Sequence, residues 1–281
     1  MMTSGTGFVP HHLTIGPKAL DGNGDVGRVV FLPGCDARAR RIAGYFENVK
    51  EYLSPRQLNV FTGTLLDGSR RVDVATVSTG MGSGSAEIVV SELIMLGAKR
   101  LIRVGTSGSL QPARIRVGDC VIASAAVRDE HATEAYGPRE VPAISHPHWV
   151  EALSEAAHNL QIAKHCFVGS VHSKDSLYGR ELGIGPRAKQ HEDYMKTLEI
   201  LGILATEMET STLFMLAAAH APIIASLADS RKDLRGIKAG SVLAVVGDDT
   251  PFATPEQVYA AEGRAIELAV EAAKLLMRFE G

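Results

Sequence analysis

Apolar positions along the 281-residue chain fall into short β-branched runs that alternate with longer stretches of helical spacing. The run RVVFLPG (28–34) ends on Pro-Gly and predicts a strand followed by a turn. RVDVATVSTG (71–80), LIRVG (101–105), GDCVIASAAV (118–127), HCFVGSVHS (165–173), ILATEME (203–209) and PIIASLADS (222–230) predict further strands. Helical spacing predicts helices over 85–98, which closes near Gly97, and over 146–160, 189–202, 210–221 and 254–279. Residues 174–190 carry Gly179, Gly183, Gly185 and Pro186 and read as irregular; residues 1–25 read as a polar N-terminal arm. Strands alternating with helices predict an α/β sheet with crossover connections. No linker divides the chain and no repeat is evident, so residues 1–281 are expected to form a single domain.

Charge and cysteine content narrow the partners. The formal net charge is −3, from 29 basic and 32 acidic residues without a long basic run, which disfavours nucleic acid. No apolar stretch reaches the roughly 20 residues of a membrane helix, and the N-terminus lacks the pattern of a secretory signal. Cys35, Cys120 and Cys166 are few and widely spaced, which points to free thiols and a cytoplasmic location rather than a zinc site. His146 and His148 lack an evident third ligand, so no metal is expected.

Five segments combine chemistry with strand ends. In LIRVGTSGSLQP (101–112) a fixed charge, Arg103, ends an apolar run and precedes small residues that read as a turn. An unpaired buried charge costs several kcal/mol, roughly, so an anion is expected there. Thr106 adds a hydroxyl; an edge-strand arginine reaching solvent is the alternative. In LPGCDARARR (32–41), Arg38 follows the Pro33-Gly34 turn and either reaches back over it or lies on a solvated helix face with Arg40 and Arg41. STGMGSGSAE (78–87) has glycines at 80, 82 and 84 but Ser85 at the third position of a dinucleotide fingerprint. It reads as a tight turn that brings N–H groups to an anion, or as a plain strand-to-helix turn. Ser78, Ser83 and Ser85 do not build a nucleophile elbow. Glu207 and Glu209 in ATEMETS stand at alternate strand positions, suited to a vicinal diol or simply solvated. Asp229 ends an apolar run, as a site group or a helix N-cap.

Taken together and in this order, LPGCDAR, STGMG, RVGTSGSLQP with VGDCVIASAAVRDE behind it, SKDSLYG and EMET resemble the hexameric-type nucleoside phosphorylases. That family contains uridine phosphorylases and purine-specific relatives, and the likeness runs from His12 to the terminal helix. SKDSLYG and EMET are most similar to bacterial uridine phosphorylases. The resemblance implies a three-layer sandwich with a mixed central sheet flanked by helices. It implies phosphorolysis of a nucleoside, uridine foremost, with inorganic phosphate as co-substrate and no cofactor. By position it implies phosphate contacts from Gly34, Arg38, Arg103 and Thr106, completed by Arg56 of a neighbouring subunit. It implies ribose contacts from Met208, Glu209 and, across the interface, His12. The base is expected near Leu177, Tyr178 and the 179–183 loop, with Arg180 and Asp229 as candidates to stabilise it as it leaves. An oligomer with shared sites, a hexamer, follows from the same likeness.

The chain departs from the family pattern at several points. Cys35 stands where relatives often carry Asp, Leu177 replaces an aromatic residue, and LYGRELGIG lacks the Gln-x-Arg pair that reads uracil. Asp229 falls near the catalytic aspartate of the purine enzymes, so a purine nucleoside phosphorylase is the alternative. A nucleosidase would need no phosphate arginine, a Rossmann oxidoreductase would need Gly at position 85, and a silent nucleoside-binding protein would not need the catalytic set.

Overall fold

A computed structural model describes residues 8–227, 236–248 and 253–279. In chain order the elements are β1 Val29–Pro33, α1 Asp36–Ala43, β2 Glu47–Tyr52, β3 Val60–Asp67, β4 Arg70–Val77, α2 Ser83–Met95, β5 Arg100–Ser109, β6 Cys120–Asp129 and β7 Ala143–Ile144. They continue with α3 Pro147–Asn159, β8 Cys166–Lys174, α4 Ala188–Ile200, β9 Ala205–Glu207, α5 Thr210–Leu227, β10 Lys238–Gly247 and α6 Pro255–Phe279.

The strands form one mixed ten-stranded sheet in the order β10-β6-β8-β9-β5-β1-β4-β3-β2, with β7 beside β6. A further parallel pairing of β10 with β5 closes one half of the sheet on itself. Alternate residues of each strand face opposite layers. On β1, Val29 and Phe31 join Ile102, Trp149 and the buried face of α6 in one core. Val30 and Leu32 join Leu101, Val90 and Phe214 in the other. The helices α1, α3 and α6 therefore cover one face and α2 and α5 the other. This is the three-layer mixed α/β architecture expected.

Strand β5 positions the site. Its edge pairs with β1 from Arg100 to Val104, then with β9 at Gly108 and Ser109. Residues 105–107 lie between those two partners, where the edge changes neighbours. Groups at such a switch point at strand ends face a common crevice.

Several local expectations change. The small residues after Arg103 are not a turn: they extend β5 to Ser109, paired in parallel with β10. Glycine at 105 is what permits this, because a Cβ there would lie 2.9 Å from the Arg103 guanidinium and 2.8 Å from Leu243. Helix α5 continues to Leu227 where 222–230 reads as a strand; a short apolar run does not distinguish the two states. The last strand is instead β10, Lys238–Gly247. The N-terminal arm is polar but not detached, since Leu13, Ile15 and Leu20 are buried against the α2–α5 layer.

Candidate active site

Arg103 is 5% exposed and braced by two carboxylates. Its Nε donates to Glu207 Oε2 at 2.9 Å and its Nη2 pairs with Glu209. The anion inferred from sequence is thus partly the chain itself. Its Nη1 is buried without an acceptor among the described residues.

The two glutamates are not equivalent, and they do not share a strand. Glu207 ends β9, while Glu209 lies beyond it, just before α5. Glu207 caps that helix, accepting the backbone N–H of Glu209 at 2.9 Å and of Thr210 at 3.0 Å, together with the Ser173 hydroxyl. Burial alone would raise its pKa, but Arg103 and these donors outweigh burial and lower it. Glu209 shifts upward: burial dominates and the neighbouring Glu207 charge adds to it, against Arg103 and the Gly82 N–H. Both line the cavity, but Glu207 is committed to donors of this chain and is thereby a structural anion, which leaves Glu209 as the less encumbered of the two.

The glycine turn after β4 serves Glu209. Gly80 and Gly82 have φ of 72° and 85°, and the Gly82 N–H donates to Glu209 Oε1 at 2.5 Å. The turn therefore does present an N–H to an anion, and that anion is a carboxylate of this chain. Ser85, the residue that breaks the dinucleotide fingerprint, bonds back to Thr79 O at 2.6 Å and locks the turn.

Arg38, on the first turn of α1, approaches from the other side. It donates to Val104 O at 3.2 Å and pairs with Glu262 of α6, which also takes Arg41 at 2.6 Å. Its Nε is buried without an acceptor among the described residues. Arg38, Arg103, Gly34, Thr106, Met208, Glu209 and Leu177 all line one cavity of about 540 Å³. Helix α1 points its N-terminus into this cavity through Gly34 and Cys35, a placement that favours an anion.

Other expected residues are not brought there. Arg180 forms a fork on Asp129, at 2.9 and 2.6 Å, stacks 4.3 Å above Tyr194, and does not line the cavity. Tyr178 is 66% exposed and also lies outside it. Both belong to a single π-helical turn, Leu177–Glu181, which sends Leu177 and Glu181 inward instead. His12 lies outside the cavity with Nδ1 2.8 Å from Glu92 Oε1, and Arg56 is exposed in the turn before β3. Asp229 lies outside the described residues. His146 caps α3, and His148 bonds to Lys238 at 2.9 Å.

Sequence reasoning missed Lys174 and did not single out Glu181 within the 179–183 loop; the two line the cavity as an ion pair at 2.7 Å. A signal was present: Lys174 is a cation directly after the strand-like run HCFVGSVHS, and it is 1% exposed. Glu262 was not recoverable, because it stands 224 residues from the arginine it holds.

A family profile, the Phosphorylase superfamily, matches residues 28–232, and the chain belongs to that family. It is 36% identical to a uridine phosphorylase of Treponema pallidum over 94% of this chain and 93% of that protein. It is 33% identical to a uridine phosphorylase of Thermococcus kodakarensis over 92% and 85%, respectively. A guanosine phosphorylase of Halorubrum lacusprofundi is 28% identical over 92% of this chain and 98% of its own length.

Proposed function

We propose that the protein is a nucleoside phosphorylase that converts uridine and phosphate to uracil and ribose 1-phosphate. One observation carries this reading: two buried arginines converge on one cavity, each with an N–H that has no acceptor among the described residues, beside a carboxylate fixed to one of them. Buried donors of this kind are rare unless a ligand uses them, and a guanidinium fork matches phosphate geometry.

Phosphorolysis breaks the C–N glycosidic bond as positive charge builds on the sugar. Arg38, Arg103, Thr106 and the backbone at Gly34 hold the phosphate against the anomeric carbon, a contribution of positioning and charge. Glu209 accepts hydrogen bonds from the ribose diol, and Met208 packs against the sugar. Because Glu209 also pairs with Arg103, the group that orients the ribose and the group that orients phosphate form a single unit. Arg56 and His12 complete the site from a neighbouring subunit of an oligomer, a hexamer in this reading. The chain acts as a single domain in the cytoplasm and needs no cofactor.

The relatives named as uridine phosphorylases support a pyrimidine substrate; the guanosine phosphorylase keeps a 6-oxopurine nucleoside as the second reading. Measuring kcat/KM for uridine, thymidine, inosine, guanosine and adenosine at saturating phosphate separates them. Uridine is expected to lead. A hundredfold excess of a purine nucleoside, abolished by Asp229→Asn, would establish the purine reading instead.

A further inference from the structure

The phosphate and ribose roles leave one charged pair in the cavity without a task. Lys174 ends β8, and its ammonium has three donors. All three are engaged: Thr206 Oγ1 at 3.0 Å, the Glu207 carbonyl at 3.2 Å and Glu181 Oε2 at 2.7 Å. Lys174 therefore has no donor left for a ligand.

The ammonium is itself fixed from behind. Asp129 can only accept, so a neutral His172 carries its proton on Nε2 and accepts at Nδ1 from the Thr206 hydroxyl at 2.9 Å, while Thr206 Oγ1 accepts from Lys174. His172 then donates from Nε2 to Asp129 at 3.0 Å, and Asp129 is held by Arg180. His172 is fully buried, and burial lowers its pKa, consistent with this neutral tautomer. Arg180 thus acts on the cavity at a distance, as the outer anchor of a buried chain of hydrogen bonds.

What the pair presents to the cavity is one carboxylate oxygen. Glu181 Oε1 makes no hydrogen bond with the described residues and lies over Gly108, where a Cβ would sit only 2.8 Å from it. Gly108 does not have a positive φ, so the glycine is not needed for the backbone. It leaves room for this oxygen.

We infer that Glu181 is a specificity-determining residue that reads a ring N–H of the base, with Lys174 as its positioning residue and Gly108 as the space it requires. The inference rests on the reading of the cavity as a nucleoside site. A carboxylate oxygen accepts and does not donate. It suits a ring nitrogen that carries hydrogen beside a carbonyl: N3–H of uracil and thymine, or N1–H of a 6-oxopurine. The corresponding ring nitrogens of cytosine and adenine carry lone pairs, which face the same oxygen unfavourably. This provides a recognition device for uracil in a chain without the Gln-x-Arg pair.

The test is calorimetric binding of uridine and N3-methyluridine to the intact protein without phosphate, with phosphorolysis of uridine followed separately. A site built to take a hydrogen bond rejects an analogue lacking the donor strongly. The wild type is expected to bind uridine at least tenfold more tightly, about 1.4 kcal/mol. Glu181→Ala, which removes the acceptor and makes room for the methyl group, is expected to reduce that ratio to within threefold of unity. If Glu181→Ala does not fold, Gly108→Ala, which displaces the carboxylate and spares Lys174, is expected to do the same. A wild type that binds both nucleosides equally, or a ratio unchanged in the folded variant, would overturn the inference. Selective binding without phosphate-dependent turnover would leave the inference standing and refute the proposed reaction.

Discussion

Arg103 and Glu209 form a buried ion pair in which each partner is also aimed at the cavity. In the proposed reaction this pairing couples the phosphate side of the site to the sugar side. It explains how a fixed charge is tolerated at 5% exposure, and why Glu209, pushed up by burial, needs a cation beside it.

Arg103→Ala is expected to lower phosphorolysis at least tenfold, about 1.4 kcal/mol, chiefly through phosphate. It also strands Glu207 and Glu209, and breaking a buried pair in this way costs about 3–5 kcal/mol. Arg103→Lys keeps the charge but not the fork, so it separates the two effects: near wild-type unfolding with a raised KM for phosphate. Unaltered phosphate kinetics in a folded Arg103→Ala protein would exclude the role.

Glu262 holds Arg38 and Arg41 together from α6. Glu262→Gln is expected to raise the KM for phosphate severalfold while leaving the nucleoside KM within about twofold, since the variant loosens only the Arg38 side. Steady-state kinetics with each substrate varied in turn checks the split. Equal changes in both values would indicate a general loss of structure.

Glu92 ties down the N-terminal arm. It accepts the backbone N–H groups of His11, His12 and Leu13, at 2.9, 3.0 and 2.9 Å, and pairs with the His12 ring. Burial would raise its pKa, but these donors lower it below the ordinary 4.5. A depressed carboxylate stabilises the fold fully above its unfolded value and loses that contribution as pH falls through the folded one. Glu92→Ala leaves three N–H groups unmet and is expected to cost about 1–3 kcal/mol at pH 7. The gap in Tm between wild type and variant should narrow as pH falls from 5 to 3. A gap that stays constant would show that Glu92 is not held ionised by these donors.

Arg56 and His12 stand outside the cavity of their own chain. If a neighbour supplies them, Arg56→Ala and Arg103→Ala subunits, each weakly active alone, should regain activity when refolded together, because mixed assemblies contain intact sites. A fully active monomer by light scattering at assay concentration would contradict shared sites.

The sequence made the strand ends legible, because an arginine inside an apolar run is an electrostatic anomaly without any structure. Arg38, Arg103, Thr106, Met208 and Glu209 do converge on one cavity. Strand β2, by contrast, is exposed along nearly its whole length, and its ENVKEY sequence offers no alternation to detect. On the expected base side, Leu177 and part of the 179–183 loop line the cavity while Tyr178 and Arg180 do not, for a related reason. In SLYGRELG the inward and outward residues are chosen by one π-helical turn, which turns Glu181 in and Arg180 out to Asp129. Local residue chemistry does not encode that direction. Lys174 was readable by similar logic, as a buried cation directly after the strand-like run HCFVGSVHS.

Product analysis of uridine incubated with the protein, with and without inorganic phosphate, tests the central claim most directly. Uracil and ribose 1-phosphate in equal amounts, formed only when phosphate is present, is the predicted result. Free ribose released without phosphate, or intact uridine alongside rapid cleavage of a purine nucleoside, would contradict it.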